Sequence, residues 1–164
     1  MCNITKNATP DRDPDWLAAM PADVQVVYRY WDGKRGTRLM PARADLDPLD
    51  LVRFLPSILL VDVVPDDRLY VYRLVGTREV RVRGNDPTGR PVMEHSFQDR
   101  DRALSNYHHV VTSRGPHLDA TPALSNDRDV LDMETIFLPL SDNGEDVDKI
   151  LVYTVQKEAN LPRY

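Results

Sequence analysis

Cysteine is nearly missing from this chain: Cys2 is the only one in 164 residues. One thiol excludes an intramolecular disulfide and any cysteine-based metal cluster, and a reducing cytoplasm is the compartment expected. Long apolar runs are missing too. The longest, Ile58 to Val64, is interrupted by Asp62 and is far short of the ~20 apolar residues that cross a bilayer, so no membrane role is expected. Met1 to Asp15 has no apolar core of the kind a secretion signal carries. The tripeptides Asn3-Ile4-Thr5 and Asn7-Ala8-Thr9 therefore have no consequence for glycosylation. Basic residues are in deficit, 21 Lys and Arg against 26 Asp and Glu, for a net charge of −5. Nucleic acid is not an expected partner, because phosphate binding needs a basic stripe; Arg78, Arg81 and Arg83 cluster only locally.

What is present suits one domain with a real core, at 41% hydrophobic and 29% charged residues. Residues 1–14 lack periodicity and read as a tail, 15–56 as an N-terminal helical segment, 57–158 as the core domain and 159–164 as a second tail. Trp16, Leu17 and Met20 form one short turn ending at Pro21. Val24, Val27, Tyr28 and Trp31 recur at i, i+3, i+4 and i+7, which predicts a helix from Ala22 to Trp31, ended by Gly33 and Gly36. Asp47 as N-cap, Pro48 at the first helical position and Leu46 stapled on Leu51 predict a short helix stopped by Pro56.

The first strand spans Ile58 to Val64 and turns back at Pro65-Asp66-Asp67-Arg68 into a second, Leu69 to Val75. That register sets Asp62 opposite Val71 and diagonal to Arg73, an ion pair read first as structural and second as a polar handle for a ligand. Short helical pieces follow at Thr77 to Val82 and near Val92-Met93-Glu94. A long helix is expected from Gln98 to Ser113, with Ala103, Leu104, Tyr107, Val110 and Val111 on its apolar face. His117 to Leu124, an edge strand because of Pro122, Asp132 to Leu140 and Ile150 to Val155 complete an α+β pattern with one antiparallel sheet. Pro139 is expected to end the pairing of its strand or to sit at a bulge.

Four local sequences sharpen this order: Leu39-Met40-Pro41-Ala42-Arg43-Ala44-Asp45-Leu46-Asp47-Pro48, Tyr72-Arg73-Leu74-Val75-Gly76-Thr77, Asp86-Pro87-Thr88-Gly89-Arg90 and Leu138-Pro139-Leu140-Ser141. In this sequence and spacing the chain, over residues 20 to 157, resembles a group of short single-domain bacterial PAS-like proteins. The resemblance implies a PAS-like five-stranded antiparallel sheet of spatial order 2-1-5-4-3, with helices on one face and an N-terminal helical extension. It implies a cavity between sheet and helices, with Tyr72, Leu74, Met93, Leu104, Tyr107, His108, Val111, Phe137 and Tyr153 as candidate lining. It also implies that the N-terminal helix lies on the opposite face or forms a dimer contact, through Val24, Val27, Tyr28 and Trp31. The family carries no reaction of its own; its members sense small molecules, redox state or light, or mediate protein contacts.

No enzymatic constellation competes. Ser96 beside His95 is mere adjacency without a G-x-S-x-G elbow, and the paired acids at Asp66-Asp67, Asp99 and Asp101, and Asp127 and Asp129 fall in turns or at a helix start. His95, His108, His109 and His117 lack metal-ligand spacing, so no metal is expected. With no cysteine in the helical segment, cysteine-adduct flavin chemistry is excluded; haem would need His108 as axial ligand and is disfavoured, and the cofactor stays unknown. The expected function is a stand-alone sensory or interaction module of bacterial signalling, not an enzyme. It would act as a homodimer or through a signalling partner, since no effector segment fits beyond residue 157, with a small molecule as a further ligand. The alternatives are a small ketosteroid-isomerase-like enzyme with Asp62 as base, or a purely structural dimerisation domain.

Overall fold

A computed structural model describes residues 13–95, 99–124 and 130–157. Cys2 and most of the first tail, Ser96, the expected helix start at Gln98, the Asp127 and Asp129 pair and the second tail lie outside the described residues. The described residues hold seven strands: β1 (Ile58–Val63), β2 (Tyr70–Val75), β3 (His117–Asp119), β4 (Ala123–Leu124), β5 (Val130–Leu131), β6 (Met133–Leu140) and β7 (Lys149–Gln156). Five of them form an antiparallel sheet in the order β2-β1-β7-β6-β3, which is 2-1-5-4-3 when only the sheet strands are counted. The remaining two, β4 and β5, pair as a separate ribbon. The expected edge strand from His117 to Leu124 thus breaks after Asp119, where Pro122 cannot donate to a ladder, and the chain leaves the sheet before returning through β6.

The helices are α1 (Ala22–Arg35), α2 (Thr77–Arg83), α3 (Val92–His95) and α4 (Arg100–Ser113). Gly33 does not end α1. A glycine inside a helix costs about 1 kcal/mol relative to alanine, too little to stop an amphipathic helix, and the turn ends at Gly36 with φ +60°. Between Asp47 and Phe54 the expected helix is replaced by tight turns. Asp47 Oδ1 accepts from Leu49 N at 2.9 Å, and the nine residues from Pro48 to Pro56 are too few to propagate a helix. Leu46 and Leu51 are nonetheless both buried.

Strand register assigns the side chains. Leu59, Val61, Tyr72, Phe137 and Val152 face one side; Ile58, Leu60, Leu138, Leu151 and Tyr153 face the other. β6 is buried at all positions from Met133 to Leu140 because α4 covers the first face and the N-terminal segment covers the second. Val24, Val27, Tyr28 and Trp31 are between 0 and 5% exposed, packed inside this one chain. That corrects their expected role as dimer contacts: the apolar face of α1 is occupied by its own sheet. Trp31 Nε1 donates to the Pro139 carbonyl at 2.8 Å. Pro139 itself does not end the ladder; it pairs with Ile150 and β6 continues to Leu140. It lies beyond the end of β3, so the side of the strand that lacks an N–H has no ladder to complete.

Two glycines hold the turns around β2. Gly76 has an ordinary φ of −62°, but a Cβ there would run into the Leu55 and Pro56 carbonyl oxygens, because those peptides cross directly over it. Gly76 N donates to Ile58 O at 2.8 Å at the same crossing. Gly89, with φ +81°, sits third in the turn closed by Arg90 N donating to Pro87 O, where only a left-handed residue fits. Gly89 N donates to Tyr72 O and Tyr72 N to Arg90 O, so this turn docks on the otherwise open edge of β2.

α4 is pinned to β3 by a polar cluster. Asp119, buried, accepts from Arg102 at 2.6 and 3.0 Å and from Asn106 at 2.7 Å, and Asn106 Oδ1 contacts His117 Nε2 at 2.9 Å. Burial pushes the Asp119 carboxyl up, but the hydrogen bonds from Arg102, Thr121 and Asn106 outweigh it and hold the group well below the usual carboxylate range. Burial and the neighbouring His109 hold the His117 imidazole below its ordinary value.

Gly76→Ala is expected to destabilise the fold by about 3 kcal/mol or more, because backbone cannot yield as a side chain does. Gly89→Ala should cost about 1 kcal/mol, and urea unfolding of both variants checks the ranking. Asp119→Ala should cost about 2 kcal/mol at neutral pH, less than a fully buried pair because Arg102 is half-exposed. The Asp119 contribution is complete above its unfolded pKa near ~4 and is lost as pH falls through the depressed folded value, so the two proteins converge only in strong acid. The sign for His117 is similar with a different window: stability falls as pH drops through ~6.5, where the unfolded chain protonates first. His117→Gln should flatten that part of the stability–pH curve.

Candidate functional site

The helix side of the sheet is where aromatic and charged side chains meet. Tyr70 and Tyr72 project from β2, Phe137 from β6 and Tyr107 from α4. Tyr70 stacks on Tyr107 at 5.2 Å between centroids, and Tyr107 meets Phe137 edge-on at 5.3 Å. All four are at most 5% exposed. Burial pushes the Tyr70 hydroxyl up to about 12 and the Tyr107 hydroxyl well above its ordinary value, so both stay protonated across the physiological range.

At one end of this interior α2 delivers two charges. Glu79 is 3% exposed and lies 3.8 Å from Arg83 Nε one helical turn on. Arg83 Nη1 donates to the Tyr72 hydroxyl at 3.2 Å, and its guanidinium sits 5.2 Å from the centre of that ring. Desolvation raises the Glu79 carboxyl, with Arg83 and then Arg78 opposing it. Arg83, in the local cluster with Arg78 and Arg81, is the one whose side chain is buried; Gly84 in the left-handed region ends α2 just after it. Glu79 carried no sequence signal, since an acid in the first turn of a helix is ordinary there. Asn106 was also hidden, polar on the buried stripe with Ala103, Tyr107 and Val110.

The expected lining divides between the two faces. Tyr72, Tyr107 and Phe137 come together in the helix-side interior, and Met93, Leu104 and Val111 are half-buried on α3 and α4. Leu74 and Tyr153 do not join them. A β-bulge shifts the partner of Leu60 from Arg73 to Leu74, so Leu74 turns to the other face, where it is 42% exposed. Tyr153 packs edge-on against Phe54 of the N-terminal segment at 5.6 Å. His108 is exposed, with its Nδ1 held 2.6 Å from the Tyr70 hydroxyl, so its ring lies at the surface over Tyr70 and not within the aromatic interior. His109 lies against His117 instead. Among the described residues no group of three His, Cys, Asp or Glu could hold a metal ion.

Asp62 and Arg73 approach to 3.8 Å, and Lys149 reaches the other Asp62 oxygen at 4.0 Å. Register places Asp62 opposite Val71, on the face away from the helices and outside the aromatic interior. An acid flanked by two cations on this face differs from the general base of an isomerase, which sits in an apolar pocket. No helix among the described residues is long and apolar enough to cross a membrane.

The family model for the PAS domain matches residues 20–154. No curated protein matches the chain. Solved structures similar to it include a light-oxygen-voltage domain studied with a flavin analogue, at 12% identity and TM-score 0.53, covering 68% of this chain and 84% of that one. The dark structure of the blue-light photoreceptor Aureochrome1 LOV has 10% identity and TM-score 0.53, covering 70% and 86%. At such identities the likeness is one of fold. With the strand order 2-1-5-4-3, α2 to α4 on one face and the family match over most of its length, the chain belongs to the PAS domain family.

Proposed function

We propose that the chain is a sensory or protein-interaction module of bacterial signal transduction that responds to a small molecule at the helix-side interior. It passes the change to a partner protein or to a second copy of itself, in the cytoplasm. The observation that supports this reading is the Glu79–Arg83 pair on the Tyr72 hydroxyl. A buried ion pair costs more in desolvation than an apolar packing of the same volume, so its presence in an aromatic interior marks a place where polar groups have a use. A few polar groups converging on an otherwise apolar wall is how small-ligand sites fix orientation. The light-oxygen-voltage relatives do not extend flavin–cysteine chemistry to this chain, whose one thiol is at Cys2.

A homodimer, on this reading, uses a surface other than the apolar face of α1. Exposed Leu39, Val52 and Leu49 of the N-terminal segment are available, at 55, 63 and 78%.

Absorbance and native mass spectrometry of the protein purified from its own cells test the ligand, with sedimentation for assembly. A visible band, or a mass above that of the chain that is lost on Tyr72→Phe together with Arg83→Gln, is the expected result. A bare mass, joined to no change in melting temperature across a metabolite collection, would overturn the ligand part. A strict monomer that captures no partner would overturn the interaction part.

A further inference from the structure

The opposite face of the sheet holds a cavity, separate from the helix-side interior. Its volume is about 120 Å³, comparable to the ~150 Å³ apolar cavities that admit benzene. Leu46, Leu51 and Leu55 of the N-terminal segment form one wall, and Leu60, Leu74 and Leu151 of the sheet form the other. The bulge in β2 supplies Leu74; regular pairing would have turned that side chain to the helices and left this wall incomplete.

The one charged side chain in the lining is Arg43. It is half-buried, and its Nη1 donates to the Leu46 carbonyl at 3.1 Å. Every other arginine described between residues 13 and 55 is paired with a carboxylate: Arg29 with Asp13, Arg35 with Asp32, Arg38 with Asp45 and Arg53 with Asp23. Arg43 has no such partner among the described residues. Asp45, two positions on, is turned to Arg38 and to the Ala42 N–H. The hollow itself is apolar, so Arg43 lines it with its stem and carries its guanidinium at the rim beside the Leu46 carbonyl; an apolar body ending in an anion at that rim is the occupant such a site matches.

We infer that this cavity is a binding site for a short apolar carboxylate, with a body of one ring or a short chain among the leucines and its carboxylate on Arg43. An alcohol of the same size fills the hollow without using the charge. An amine brings a second cation to it.

Methyl-resolved NMR titration of the full chain with hexanoate, hexan-1-ol and hexylamine decides the matter. Hexanoate should shift the methyls of Leu74 and Leu151, and bind about tenfold more tightly than hexan-1-ol, the worth of one charge-assisted hydrogen bond. Hexylamine should bind least. Arg43→Gln should bring hexanoate down to the alcohol and leave the alcohol unchanged, and Leu151→Phe should abolish both. Equal binding of acid and alcohol, or an Arg43→Gln protein that keeps its preference, overturns the proposal. So does a hollow closed by a second copy of the chain. In that case the ligands shift nothing, and Leu74→Asp moves the sedimentation profile toward monomer. Loss of hexanoate binding leaves the helix-side reading intact, since that site is tested by Tyr72 and Arg83.

Discussion

The crossing of the Leu55–Pro56 peptides over Gly76 fixes how the rest of this chain is arranged. At that point the N-terminal segment meets the start of β1, the end of β2 and the first turn of α2. The Gly76 N–H on Ile58 O ties strand to strand, while the two carbonyls pressed on its Cα leave no space for a side chain. The direction of α2 follows from the crossing, and with it the inward approach of Glu79 and Arg83. The turn 55–57 sits on α2 for the same reason, which holds the 46–55 segment against the other face of the sheet. A single atom's worth of clearance therefore sets both sides of the domain.

Those two sides differ in kind. Toward the helices the core is aromatic with charges at its end; toward the N-terminal segment it mixes leucines with the Tyr28–Trp31 and Phe54–Tyr153 ring contacts, with Trp31 bonded to the Pro139 carbonyl and Ser141 N on Pro41 O. The four local sequences that mark this chain meet in pairs across the fold. Residues 39–48 touch 138–141 through that Pro41 contact, and 72–77 touch 86–90 through the Tyr72 backbone. Distant stretches share a hydrogen bond, so each constrains the other.

Most helix placement was legible because it rests on apolar periodicity and on glycine and proline positions, signals carried by single residues, whereas the strand order came with the family resemblance of the four local sequences. The interior placement of β1 and β7 followed from their near-continuous apolar runs. The facing of β2 did not, since a bulge is a property of the pairing: nothing in Tyr72-Arg73-Leu74 announces that Arg73 is the extra residue. Leu74 was assigned to the wrong side for this reason. The dimer role of α1 failed differently. An apolar stripe states that something covers it, and whether the cover is the same chain depends on residues more than a hundred positions away. Glu79 and Asn106 were invisible because a polar residue on a helix is read as solvated unless its neighbours in space are known.

The bulge also gives β2 two roles. Tyr72 and Leu74 are two positions apart yet project to opposite faces, one under the Arg83 guanidinium and the other into the leucine hollow. The strand is at the edge of the sheet, and the Gly89 turn and the Pro91 bridge dock on its outer side. A single edge strand therefore supplies a wall residue to each compartment, and a change that erased the one extra residue of the bulge would return Leu74 to the helix side and alter both compartments at once.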